Sequence, residues 1–161
     1  MNKILLASTL AIVAAGLFGC ATHQSTVMGA PERNAVMAPV HQFADGFNAG
    51  DVVRAMAACT DDMCIIDDFP PHAWHGAGAG AKWLHDYEAD AKKNGVTDET
   101  VTLHKPRRVD IDGDRAYVVV SADARYKLHG KPVSEPGAMF TIALQKTTLG
   151  WRITGWAWSK K

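Results

Sequence analysis

The sequence predicts an α+β fold, a strongly curved antiparallel sheet with three N-terminal helices that together enclose a pocket. Three observations carry this expectation. Apolar residues recur at helical spacing in the first part of the chain, they recur with period two in the last part, and glycine, proline and aspartate punctuate the joins.

The first residues stand apart from that fold. Met1-Asn2-Lys3 gives a short positive start, and Ile4 to Phe18 is an uncharged apolar run, short for a membrane span and of the length of an export-signal core. It ends in Leu17-Phe18-Gly19-Cys20, which resembles a bacterial lipobox, with Phe18 bulkier than that motif usually tolerates. Lipidation of Cys20 would make the chain a membrane-anchored periplasmic lipoprotein. Ordinary cleavage at the small residues Gly19-Cys20-Ala21 would release an exported domain. The organisation expected is a signal peptide over 1–19, a polar linker over 20–34 and one domain over 35–161.

The elements of that domain follow in order. Val36, Val40, Phe43 and Phe47 share one face of a first helix, and Pro39 fits its first turn if the helix starts near Met37 or Ala38. Gly50 stops it, and Asp51 caps a short second helix, Val52 to Cys59. Met63 to Asp67 reads as a strand. A third helix runs from about Gly80 to Asn94, with Trp83, Tyr87 and Ala91 on one face and Gly95 as its stop.

Period two then takes over. A strand near Val101 to Ile111 contains Pro106, which must bulge it or lie on a sheet edge. The next strand has the apolar face Ala116, Val118, Val120, Ala122, Ala124, Tyr126 and Leu128, and Ala138 to Lys146 and Trp151 to Ser159 complete a meander. In the last strand Trp151 and Ile153 alternate away from Trp156 and Trp158. That predicts two covered faces, the outer one covered by a second copy in a homodimer.

The charge is balanced, with 17 basic and 17 acidic residues and no basic run, which argues against a nucleic-acid partner. In an oxidising compartment Cys59 and Cys64 are open to two readings, a disulfide closing a small loop or two separate buried thiols. No second cysteine pair completes a zinc site.

The richest stretch is Cys64 to Trp83, which holds Asp67, Asp68, His72, Trp74, His75 and Trp83. Strand parity turns Asp67 inward, as an acid or base at a pocket, and Asp68 outward to solvent. His72 and His75 would need a helical turn to share a metal, and Pro70-Pro71 argues for an irregular loop, so no metal or other cofactor is expected. One of the two histidines is expected at the pocket mouth, exchanging a proton with Asp67. Phe43, Trp74, Trp83, Tyr87, Tyr126 and Met139 are candidate ligand contacts, with core packing as the alternative for Trp83, Tyr87, Tyr126 and Met139.

Phe43-x3-Phe47-Asn48-Ala49-Gly50-Asp51, then a short helix, Asp61-Asp62 and a strand ending in Asp67, resembles the NTF2-like superfamily in its SnoaL-like and ketosteroid-isomerase-like branch. The resemblance covers about residues 35–158 and implies a cone-shaped fold. It places Asp67 at the position of the general-base aspartate of ketosteroid isomerases. Phe43 stands where that family has its oxyanion-binding tyrosine, and Gly137 to Phe140 lacks the second, acidic donor, so steroid isomerisation is not expected. Three readings follow: binding of a small apolar molecule without chemistry, an isomerase, cyclase or dehydratase with Asp67 as base, or a cell-envelope dimerisation or interaction module.

Overall fold

The computed structural model describes residues 29–161. The signal-peptide reading, Cys20 and most of the linker lie outside them. Among the described residues no helix is long and apolar enough to cross a membrane.

Three helices and six strands alternate as α1 (Ala30–Asn48), α2 (Val52–Met56), β1 (Cys59–Ile66), β2 (Ala73–Ala77), α3 (Ala79–Asn94), β3 (Val96–Asp112), β4 (Arg115–Leu128), β5 (Lys131–Thr147) and β6 (Gly150–Ser159). The strands form one sheet in the order β2-β1-β6-β5-β4-β3. All neighbours are antiparallel except β1 and β6, which run parallel. The core lies between the helices and one face of this sheet, built from Val36, Val40 and Phe43 on α1, Ile65 on β1, and Val118, Val120, Phe140, Ile142, Leu144 and Ile153 on the long strands.

Several boundaries differ from the sequence expectation, β5 among them, which begins at Lys131 rather than Ala138. Helix α1 begins at Ala30, with Pro31 in its first turn and Pro39 inside it. Proline there forfeits one backbone hydrogen bond, but Pro39 is buried in the contact face with Val36 and Val40, and packing outweighs the loss. Helix α2 stops at Met56, and β1 starts at Cys59 because its first residues pair with β6 through Ile153. The segment after Pro70-Pro71 is not an irregular loop. Ala73–Ala77 is a strand paired with Asp62–Ile66, a hairpin whose pattern is hidden because only Trp74 is buried. Strand β3 is longer than expected and begins at Val96; Pro106 lies at a register shift in this edge strand, where a missing N–H is tolerated.

The motif from Phe43 to Asp51 is a joint between helices and sheet. Gly50 takes a left-handed backbone (φ 65°), and the Asp51 carboxylate accepts from the Arg54 N–H at 3.0 Å to cap α2. Asn48 lies at the end of α1 and clamps the edge strand. Its amide donates to the Val101 carbonyl at 2.8 Å and accepts from the Val101 N–H at 2.7 Å, so one side chain pairs with β3 as a neighbouring strand would.

The expectation of two covered faces on the last strand is corrected by a bulge. Ile153 lies opposite Leu144, but Gly155 lies opposite Ala143, so Thr154 is an extra residue on β6. Parity flips there. Trp151, Ile153, Trp156 and Trp158 oppose Lys146, Leu144, Ile142 and Phe140 and therefore all face the helices. The tryptophans give no reason for a covered outer face.

Gly155 packs at the close approach of β6 to β1. A Cβ there would come within 2.7 Å of the Cys64 carbonyl oxygen, which is backbone and cannot yield without moving the strand. Gly155→Ala is expected to destabilise the fold by about 1–3 kcal/mol, read as a lowered urea midpoint with an unchanged slope.

Candidate functional site

Between the sheet and α1 and α3 lies a cavity of about 160 Å³. Its walls are aromatic: Phe43 and Phe47 from α1, Trp83 and Tyr87 from α3, Phe140 from β5, and Trp156 and Trp158 from β6. The rings stack and tilt on one another, with Trp83 5.0 Å from Trp156 in an edge-on pair and 5.7 Å from Tyr87 in a stacked one. Trp156 is only 6% exposed, and its indole nitrogen is sealed among these rings without an oxygen or nitrogen partner.

Asp67 follows β1, inward by the parity that also buries Met63 and Ile65, and is only 9% exposed. Its carboxylate accepts from Trp83 Nε1 at 2.9 Å and from the Asp68 backbone N–H at 2.8 Å. Burial pushes the carboxyl up from its ordinary 3.8 to about 6, against those two donors, which lower it; the neighbouring Asp68 charge adds to the rise. An ionisable group near neutrality thus sits in an aromatic hollow.

Further polar groups come from elements distant in sequence. Tyr87 donates to Glu99 Oε2 at 2.6 Å, and burial holds both groups above their ordinary pKa values. Tyr126 donates to Glu135 Oε1 at 2.8 Å. Lys160 Nζ lies 3.1 Å from Asp68 Oδ2 and 3.2 Å from Glu135 Oε2. Burial works to lower the Lys160 ammonium, but the two carboxylates outweigh it and hold it above the ordinary lysine value.

The structure brings together Asp67, Phe43, Trp83, Tyr87 and Tyr126, all of which line the cavity. It separates the others. His72 and His75 are exposed and outside the cavity; the His72 ring meets the backbone carbonyl of Asp67 at 3.2 Å, while the Asp67 carboxylate is bonded to Trp83 and the Asp68 N–H and to neither imidazole. Trp74 is buried between the β1–β2 hairpin and α3, donating to Asp86 Oδ2 at 2.8 Å and meeting Phe69 in a tilted pair at 5.0 Å; it is a packing residue. Met139 opposes Ser121 on the outer face of the sheet, alternating with Ala138 and Phe140, which are buried on the inner one. Cys59 and Cys64 are free thiols, Cys59 donating to the Ala55 carbonyl and pushed up to about 12 by burial.

Asp68 also departs from expectation, since it lines the cavity and pairs with Lys160. Sequence reasoning passed over Glu99 and Lys160 altogether. Glu99 lies in the polar start of an edge strand, and Lys160 follows the last strand as one of two adjacent lysines; neither carries a local signal.

A family model described as a SnoaL-like domain matches residues 36–159. Among curated proteins none matches. Solved structures do. A ketosteroid isomerase-like protein from Erwinia carotovora atroseptica aligns with a TM-score of 0.62 at 20% identity, over 82% of this chain and 98% of that one. An NTF2-like superfamily protein from Salmonella enterica aligns with a TM-score of 0.66 at 12% identity, over 80% and 89%. An NTF2-like protein with a cystatin-like fold from Novosphingobium aromaticivorans aligns with a TM-score of 0.64 at 14% identity, over 81% and 82%. At these identities the likeness is one of fold.

Two outcomes test the site. The folded state holds the Asp67 proton more tightly than the unfolded chain, so stability falls as pH rises from about 3.8 to about 6 and does not recover above that window. Relative to Asp67→Asn, the wild type is therefore expected to lose about 3 kcal/mol between those limits, measured by urea unfolding across pH. Trp83→Phe removes a donor to the ionised carboxylate, and carboxyl carbon NMR should show Asp67 titrating above about 6.

Proposed function

The chain belongs to the SnoaL-like domain family, and on that basis we propose that its cavity binds a small apolar molecule of about one ring in size. The observation that carries this is the volume. A cavity of roughly 150 Å³ lined by apolar side chains holds benzene, and the space here is about 160 Å³ within largely aromatic walls. A four-ring steroid is too large for it without rearrangement of those walls.

Binding without chemistry is the first reading, because Phe43 brings no hydroxyl and the Trp156 N–H is sealed away from the cavity. Proton transfer by Asp67 is the second, favoured by a carboxyl that titrates near neutrality inside the pocket. Turnover of a bound compound, lost in Asp67→Asn while the compound still binds, would select the second. The remaining parts of the proposal rest on the sequence: export, a lipid on Cys20 holding the domain at the membrane in the periplasm, and self-association as a homodimer or envelope module. The mass of the mature chain and its oligomeric state in solution test them.

The test of binding is a cavity-filling variant. Val101 lines the cavity while its backbone is held by Asn48, so Val101→Phe is expected to fold and to occupy the space. Single-ring compounds should raise the melting temperature of the wild type and leave that of Val101→Phe unchanged. Equal shifts in both proteins would place the binding elsewhere and end the proposal.

A further inference from the structure

We propose that the cavity selects a cationic ligand, a protonated amine carried on a single-ring apolar body. The inference rests on the reading that the cavity binds small molecules and assigns the chemical class.

Four of the five charged side chains that line the cavity are acidic. The charged groups lining the cavity are Asp67 after β1, Asp68 beside it, Asp90 on α3, Glu99 on β3 and Lys160 at the C-terminus. Lys160, the single cation among them, is already held by Asp68 and Glu135. Asp67, Asp90 and Glu99 make no ion pair among the described residues. Their partners are neutral donors: the Trp83 indole and a backbone N–H for Asp67, the Tyr87 hydroxyl for Glu99, the Asn94 amide for Asp90.

Asp67 is nine-tenths buried, lines the hollow and makes no ion pair among the described residues. A carboxylate has about four acceptor positions, and two donors reach this one, which leaves capacity for a ligand N–H. Trp83, Tyr87, Trp156 and Trp158 line the space, and a ligand cation that reaches a ring face there is attracted by its quadrupole where an anion is repelled. An ammonium group would meet unpaired carboxylates and aromatic faces together. A ligand carboxylate would meet like charge at every wall except Lys160, which it would have to take from Asp68 and Glu135.

A consequence follows for protons. Burial raises both Asp67 and Glu99, and a cation beside them favours their ionised forms. Amine binding near pH 6 should therefore release protons, and amine affinity should rise as pH increases through about 6. Tyr87 and Tyr126 complete the titratable groups lining this space, and Glu135 accepts from Tyr126.

The experiment is calorimetry with three matched probes, phenethylamine, 2-phenylethanol and 3-phenylpropionate, at neutral pH and in two buffers of different ionisation enthalpy. The amine is expected to bind about tenfold more tightly than the alcohol, with the carboxylate weakest, and to release protons at pH 6. Glu99→Gln and Asp67→Asn should each reduce the ratio of amine to alcohol affinity several-fold. Alcohol binding equal to or tighter than amine binding would overturn the assignment and leave the cavity reading standing. Binding of none of the three would overturn both.

Discussion

The hydrogen bond from Trp83 to Asp67 ties the helical layer to the sheet at the point where the cavity begins. Its donor stands on α3 within the aromatic cluster and its acceptor at the end of β1. A carboxylate in a greasy environment is costly unless it is hydrogen-bonded, and the indole N–H together with the Asp68 backbone makes this position tolerable. The same bond orients Trp83 against Phe43, Phe47, Tyr87 and Trp156, so the walls and the acid are fixed by one arrangement.

The hollow exists because the sheet bends away from the helices, and bulges are where it does so. Thr154 on β6 and the segment between Glu135 and Ala138 on β5 each insert residues into a ladder. The second is held by Asp123, whose carboxylate accepts from the Gly137 N–H at 3.0 Å. A bulge adds local twist and resets which side chains face inward. On β6 it therefore helps choose the cavity lining, bringing Trp156 and Trp158 in.

Charge in the site is distributed between two settings. Lys160, Asp68 and Glu135 form a paired group toward the C-terminus, while Asp67 and Glu99 accept from aromatic donors and make no ion pair among the described residues. The first setting is an internal ion network, and the second is the one on which the proposed ligand class rests. The fold is shared with proteins of different chemistry, so these residues rather than the topology carry any claim about function.

Local patterns in the chain were enough for the α+β class, the three helices, the long meander and the inward position of Asp67. Each of these depends on periodicity or on a turn residue within a few positions, as at Gly50, Asp51 and Gly95. Tertiary contact decided what periodicity could not reach. The bulge at Thr154 is a matter of how β6 pairs with β5, and the β2 hairpin carries a single buried side chain. Glu99 and Lys160 reach the cavity through pairings made far along the chain, and His72 and His75 fail to reach it because the hairpin turns their rings to solvent. A sequence records which residues are apolar and how they alternate; register and approach are settled only when distant strands and helices compete for the same space.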